Sequence, residues 1–296
     1  MIGQDPEAFD FKENYFQLPK EGHSLHYVEE GQGEVIVCLH GNPTWSYTFR
    51  RVVRDFKNSH RVIALDHLGC GKSSKPDDFS YRLENHIENL DLFIKGLNLK
   101  DITLVVHDWG GAIGIGWAVD HPHLVSKIVV MNSAAFLSKS IPPTIAICKV
   151  PFLGELLIRG LNIFLWGLFW FGTHKKLSAA IWSKYFAPYP SFASRKALAR
   201  FVQDIPLFSR HPSYAKLKAT QDKLGSLQMP MLFLWGMRDF CFHPGFLSRW
   251  QQYFSNARIV RFAEAGHLVH EDEPVKVAAE LRGFISEHRD PYPQTC

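Results

Sequence analysis

The chain has little of what marks the specialised protein classes. Only five cysteines occur among 296 residues, an odd number, and Cys38, Cys70, Cys148, Cys241 and Cys296 stand far apart without a C-x-x-C pair. That argues against a disulfide framework and against a zinc ribbon. Neither sign of charge dominates, since 33 Lys and Arg against 29 Asp and Glu leave a formal net charge of +4. The basic residues are scattered, so no nucleic-acid partner is indicated. The N-terminal residues alternate charged and single apolar positions and lack the apolar core of a signal peptide, so a reducing, cytoplasmic setting is expected. Repeats, low-complexity tracts and Gly/Ser linkers are missing. Long apolar runs are scarce too. The most apolar run, LNIFLWGLFWFG from Leu161 to Gly172, is followed closely by His174, Lys175 and Lys176. A membrane span needs about 20 such residues. No transmembrane helix is expected there, and burial in a helical layer or at a subunit contact is.

What is present is a rhythm. Short apolar, β-branched runs alternate with helical patterns, the mark of a mainly parallel sheet with crossover helices. Strands are expected at Val35–His40, Arg61–Asp66, Ile102–His107, Lys127–Met131, Met231–Trp235 and Ile259–Phe262. Their nearly unbroken apolarity fits strands covered on both faces. Tyr15–Leu18 and His26–Glu29 alternate and suit an antiparallel edge. Helices fit Ser46–Phe56, Leu83–Leu97, Trp109–His121 and Val275–His288. The rhythm fails between about Phe136 and Leu227, where helix formers, aromatics and Pro prevail. We therefore expect a core domain of residues 1–135 and 228–296, with residues 136–227 as a helical cap inserted before the last two strands.

The chemistry begins with VVHDWGG, Val105 to Gly111. A strand ends there and small residues open a helix at once, which is the context of a nucleophile elbow. The exposed position, usually Ser, holds Asp108. Val106 departs from the pattern by occupying the first small-residue position, so Gly110 and Gly111 must supply the close approach. An N-cap Asp would also fit this spot, but partners follow in the order nucleophile, acid, His. Asp239 follows one strand in WGMRDF, and His267 follows the next in EAGHLVHEDEP. His270 has no such assignment, and HLVHE lacks the H-E-x-x-H spacing of a zinc helix, so no metal site is expected. HGNPTW, His40 to Trp45, directly follows a strand and places Asn42 on one oxyanion-hole position, with Trp109 on the other. A turn at Asn42-Pro43 alone would not explain an indole beside the nucleophile. The Asn42-Pro43 bond is expected to be cis, because the chain must turn sharply to aim the Asn42 N–H.

Together HGNPTWSYTFR, DHLGCGKSSKP, VVHDWGG, WGMRDF and AGH resemble the haloalkane dehalogenase family of the α/β-hydrolase fold, in the expected order over positions 40 to 267. The resemblance implies Asp108 as nucleophile, His267 as base, Asp239 as acid, and Asn42 with Trp109 as the halide pair. Some members take the acid from a Glu after the strand Lys127–Met131. Here that spot reads Met131-Asn132-Ser133-Ala134, which favours Asp239. The same segments are similar to bacterial β-lactone hydrolases, and DHLGCG and WGMRDF fit that group at least as well.

A carboxylate is ionised at neutral pH and can displace a leaving group from saturated carbon without first losing a proton. The expected reaction is therefore hydrolytic dehalogenation through an alkyl ester on Asp108. It takes a small apolar substrate and water and gives alcohol and halide, with no cofactor. β-Lactone hydrolysis is the alternative. Epoxide hydrolysis is another, because the cap holds Tyr185, Tyr189 and Tyr214 as candidate ring-oxygen donors. Phe136, Phe164, Trp170, Ile205, Leu207 and Leu268 are expected pocket-lining residues, although core packing would suit each equally. Relatives of this type tend to self-assemble, so a homo-oligomer through the cap is expected.

Overall fold

The computed structural model describes residues 9–288. Cys296 lies outside them. Eight strands form one sheet in the order β1-β2-β4-β3-β5-β6-β7-β8. They are β1 Glu13–Gln17, β2 Ser24–Glu30, β3 Val35–Leu39, β4 Arg61–Leu65, β5 Ile102–Asp108, β6 Val125–Ser133, β7 Met231–Gly236 and β8 Arg258–Phe262. β1 and β2 pair antiparallel, β2 meets β4 antiparallel, and the remaining pairs are parallel. All eight runs read from the sequence as strands are strands. β5 and β7 are buried throughout, which is why they read as unbroken apolar runs.

Helices cover both faces. α1 (Arg50–Phe56) and α12 (Pro274–Glu287) pack on one side, with α11 (Val269–Asp272) leading into α12. α2 (Leu83–Gly96) and α3 (Trp109–Ala118) pack on the other. α10 (Pro244–Tyr253) joins that second layer and was not anticipated. Its start is nevertheless written locally, with Pro244 in the first turn and the His243 ring accepting the Gly245 N–H at 3.2 Å.

Between β6 and β7 no strand occurs. α4 (Pro143–Cys148), α5 (Leu153–Glu155, running into a wider turn over Leu156–Gly160), α6 (Ile163–Phe171), α7 (Ala179–Phe186), α8 (Lys196–Gln203) and α9 (Tyr214–Lys223) form the cap. Buried polar ties seat it on the core. The Tyr185 hydroxyl donates to Glu271 at 2.6 Å, and Glu271 is paired with buried Arg50. Asp272 accepts the N–H groups of His174 and Lys175 at 3.0 and 2.8 Å. A buried pair of this kind is costly to break from one side, by about 3–5 kcal/mol.

The apolar run from Leu161 to Gly172 departs in part from expectation. Leu165 and Leu168 are buried, whereas Trp166 is 48% exposed, Trp170 68% and Phe171 63%. α6 is apolar all round, and a lone helix has only one face against the core. No single helix among the described residues is long and apolar enough to cross a membrane, because this segment meets Leu153–Gly160 at a 67° bend.

Candidate active site

Asp108 sits where β5 hands over to α3, with φ 51° and ψ −124°. This conformation is sparsely populated and persists only where the surroundings impose it. Three glycines show how. A Cβ on Gly110 would lie 2.0 Å from the Leu39 carbonyl oxygen, on Gly111 1.8 Å from Ser133 Oγ, and on Gly41 2.1 Å from Asp108 Oδ1. Val106 fits because α3 offers it two more small residues, Gly111 and Gly114. Ser133 Oγ fixes the elbow by donating to the Asp108 carbonyl at 2.5 Å.

The carboxylate of Asp108 accepts the Asn42 backbone N–H at 2.7 Å and the backbone N–H of Trp109. The Asn42-Pro43 bond is cis, as expected. Burial pushes the Asp108 carboxyl above the usual carboxylate range, while His267 and the two backbone donors pull the other way. His267 Nε2 stands 3.9 Å from Asp108 Oδ2, and its Nδ1 is 2.9 Å from Asp239 Oδ2. Burial disfavours the charged imidazole, but Asp239 outweighs it and holds His267 above the ordinary histidine range. Asp108, Asp239 and His267 thus come together from the carboxyl ends of the parallel strands β5, β7 and β8, with β6 between the first two.

Two supporting residues escaped the sequence reading. Asn132 is the extra residue in the β5–β6 pairing, where the register slips between His107–Met131 and Asp108–Ser133. Its φ of 33° turns the amide inward. It donates to Asp239 Oδ2 at 2.9 Å and exchanges two bonds with the Gly236 backbone at 3.0 and 2.8 Å. The position where some relatives carry the acid here carries the amide that steadies it. A buried polar residue at a strand's carboxyl end was the available signal. His107 is the second, with its Nε2 3.0 Å from the His267 carbonyl oxygen. Asp272 completes the frame by accepting the Gly266 N–H at 2.7 Å.

The side-chain donors differ from each other. Asn42 Nδ2 already donates to the Leu198 carbonyl in the cap at 3.1 Å, which ties the residue to α8. The Trp109 indole lines the cavity and packs on Phe201 with ring centres 5.2 Å apart.

Asp108 faces apolar space that divides in two. A chamber of about 120 Å³ runs past Trp109, Ala112, Phe136, Leu217 and Phe246. A larger one, about 530 Å³, runs past Pro143, Ile163, Gly167, Phe171 and Phe240. Asn42 and Asp108 belong to both. Of the expected lining residues, Phe136, Phe164 and Ile205 line this space and three do not. Trp170 points outward, Leu207 borders a separate hollow with Tyr214 and Arg249, and Leu268 is packed with Trp45, Tyr47 and Tyr185. Ala112, Leu217 and Phe246 were missed because they come from elements far apart in sequence. None of the three cap tyrosines lines either chamber. Tyr185 and Tyr189 are buried and bonded elsewhere, so neither is a donor to a substrate at Asp108.

A strained elbow carrying Asp, a His–Asp pair and a helical cap define a hydrolase of the α/β class, and comparison agrees. Residues 34–274 match the α/β-hydrolase fold family model. The chain belongs to that family, and within it to the haloalkane dehalogenase group. It is 39% identical to a cis-3-alkyl-4-alkyloxetan-2-one decarboxylase of Shewanella oneidensis, over 94% of this chain and 89% of that one. Identity is 33% to a haloalkane dehalogenase of Agrobacterium fabrum, over 94% of each. The crystal structure of the haloalkane dehalogenase DatA from Agrobacterium tumefaciens C58 superposes with a TM-score of 0.86 at 29% identity, covering 97% of this chain and all of that one.

Proposed function

We propose that Asp108 opens cis-3,4-dialkyl oxetan-2-ones, which are β-lactones, and that the opened product loses carbon dioxide to give an alkene. The observation that carries the chemistry is the buried Asp108 carboxylate on the wall of an apolar cavity, with Oδ1 held by the Asn42 N–H and Oδ2 3.9 Å from His267 Nε2. The substrate class rests on likeness to named β-lactone decarboxylases at 39% and 37% identity over nine-tenths or more of this chain.

The steps balance without water. Asp108 Oδ2 attacks the ring carbon that bears the ring oxygen, C4, and the C4–O bond breaks. The ring oxygen leaves as a carboxylate, with the Trp109 indole N–H as a fixed donor beside it. Backside attack leaves the bond to the carboxylate antiperiplanar to the new ester bond. The C3–carboxylate bond then breaks, and its electron pair forms the C3=C4 double bond. The Asp108 ester bond breaks in turn, returning the carboxylate and releasing carbon dioxide. Inversion followed by anti elimination gives the cis alkene. Purified protein given a cis-3,4-dialkyl lactone should yield cis alkene with no β-hydroxy acid. A hydroxy acid product would replace decarboxylation by hydrolysis, and no consumption would reject the substrate.

Haloalkane dehalogenation is the second reading, favoured by the fold match to DatA. Asp108 would displace halide and keep an alkyl ester. His267 would then take a proton from water, which attacks the ester carbonyl while the backbone N–H groups of Asn42 and Trp109 hold the oxyanion. A parallel assay with 1,2-dibromoethane tests it.

A further inference from the structure

The cavity divides into two apolar chambers at one carboxylate. Asn42, Asp108, Ile145, Phe164 and Cys241 border both chambers, so the two lie side by side and both reach the carboxylate. The smaller chamber has rigid walls, since Phe136, Val202, Leu217 and Phe246 are each at most 8% exposed. Both chambers reach the surface, the smaller beside exposed Ser140 and the larger beside Phe171 and Phe240, which are 63% and 41% exposed, and the larger holds about 530 Å³ against about 120 Å³.

We infer that the two chambers each take one alkyl arm of a two-armed substrate, the smaller limiting one arm more tightly than the larger limits the other. The inference rests on the β-lactone reading. Adjacent ring carbons bearing one arm each present two diverging chains from a single reacting centre, which matches two apolar channels diverging from one carboxylate. An apolar wall discriminates by volume, and each methylene gained or lost is worth about 0.8 kcal/mol of burial. The chamber of smaller volume therefore gives the shorter length limit.

Two substitutions separate the chambers without touching the catalytic groups. Gly167 lies in α6 on the larger chamber, and an added Cβ there meets nothing within 4 Å, so Gly167→Leu narrows that chamber alone. Ala134 lines only the smaller, so Ala134→Leu narrows it, with Leu217→Phe as a second variant on the same wall should Ala134→Leu not fold. The experiment measures kcat/KM for lactones in which one arm is lengthened while the other stays short, at C3 and at C4 in turn. The wild type should show a shorter cutoff for one arm than for the other. Ala134→Leu should shorten the cutoff of the first arm by at least two carbons. Gly167→Leu should lower kcat/KM at least tenfold for long second arms, and each variant should lose less on a lactone with two short arms than on one whose long arm lies in the chamber it narrows. Length profiles that move together, or not at all, would overturn the assignment of arms to chambers. Failure of the wild type to consume any lactone would overturn the β-lactone reading and the arm assignment with it.

Discussion

The sheet side of the site and the cap side are built on opposite principles. Around Asp108 the frame is polar and bonded: the Asn42 N–H and Ser133 Oγ fix the elbow, His107 and Asp272 the His267 loop, and Asn132 holds Asp239. The cap presents mostly side-chain carbon to the same cavity. Its helices leave Phe152, Trp170 and Phe171 at 89%, 68% and 63% exposure. The core therefore sets what reaction occurs, since displaced dipoles there cost catalysis. The cap sets which molecule reaches the carboxylate, since apolar walls discriminate by shape. Substitutions in the core should abolish turnover, and substitutions in the cap should redistribute it.

The largest effect is expected from Asp108→Ala, which should lower turnover on the order of 10⁴-fold or more for lactone and bromoalkane alike. Stopped assays on both substrates check it. Asp239→Asn should leave the fold intact and slow ester hydrolysis on the order of 10³–10⁴-fold, because the imidazole loses its orienting charge. Lactone decarboxylation, which needs no water, should fall far less, and equal losses on both substrates would give His267 a role in both. The pH profiles should separate in the same way. Lactone turnover needs ionised Asp108, so it should decline as pH falls through a value above the usual carboxylate range. Bromoalkane hydrolysis needs neutral His267 and should decline sooner, as pH falls through a value above the ordinary histidine range.

Asn132→Ala is a smaller break in the core. It leaves the Gly236 backbone and one Asp239 bond unmet, destabilising the protein by about 1–3 kcal/mol. By letting Asp239 drift it should reduce hydrolysis by roughly 100-fold or less. Denaturant melts and bromoalkane kinetics measure the two effects separately. On the cap, Trp170→Gln should shift stability by less than about 0.5 kcal/mol and leave kcat unchanged. We propose that the exposed face of α6 is a self-association surface, so this variant should lower the sedimentation coefficient at high protein concentration.

What could be read from the chain follows the same division. The eight strands, Asp108, Asp239, His267 and the Asn42-Pro43 turn were legible because each is encoded within a few residues, by apolar runs or by glycines around a sharp turn. Asn132 escaped because its role depends on a register slip between β5 and β6, which no local pattern displays. The lining of the cavity was half legible. Phe136, Phe164 and Ile205 face it, but Trp170 and Leu268 are equally apolar, and only the seating of the cap decides which way a helix turns. α10 was overlooked because its apolar stripe of Phe246, Leu247 and Trp250 is short and begins directly behind the acid loop.

Both proposed reactions require Asp108 to form a bond to carbon. The direct measurement is intact-protein mass spectrometry of His267→Phe after mixing with a bromoalkane, followed by peptide mapping. That variant keeps the carboxylate, the Trp109 indole and the smaller chamber but lacks the base that would hydrolyse an ester. One alkyl mass per chain on the peptide containing VVHDWGG, absent when Asp108→Ala is added, is the predicted result. A His267→Phe protein that binds the bromoalkane and stays unmodified, or that carries the alkyl group on another residue, would contradict it.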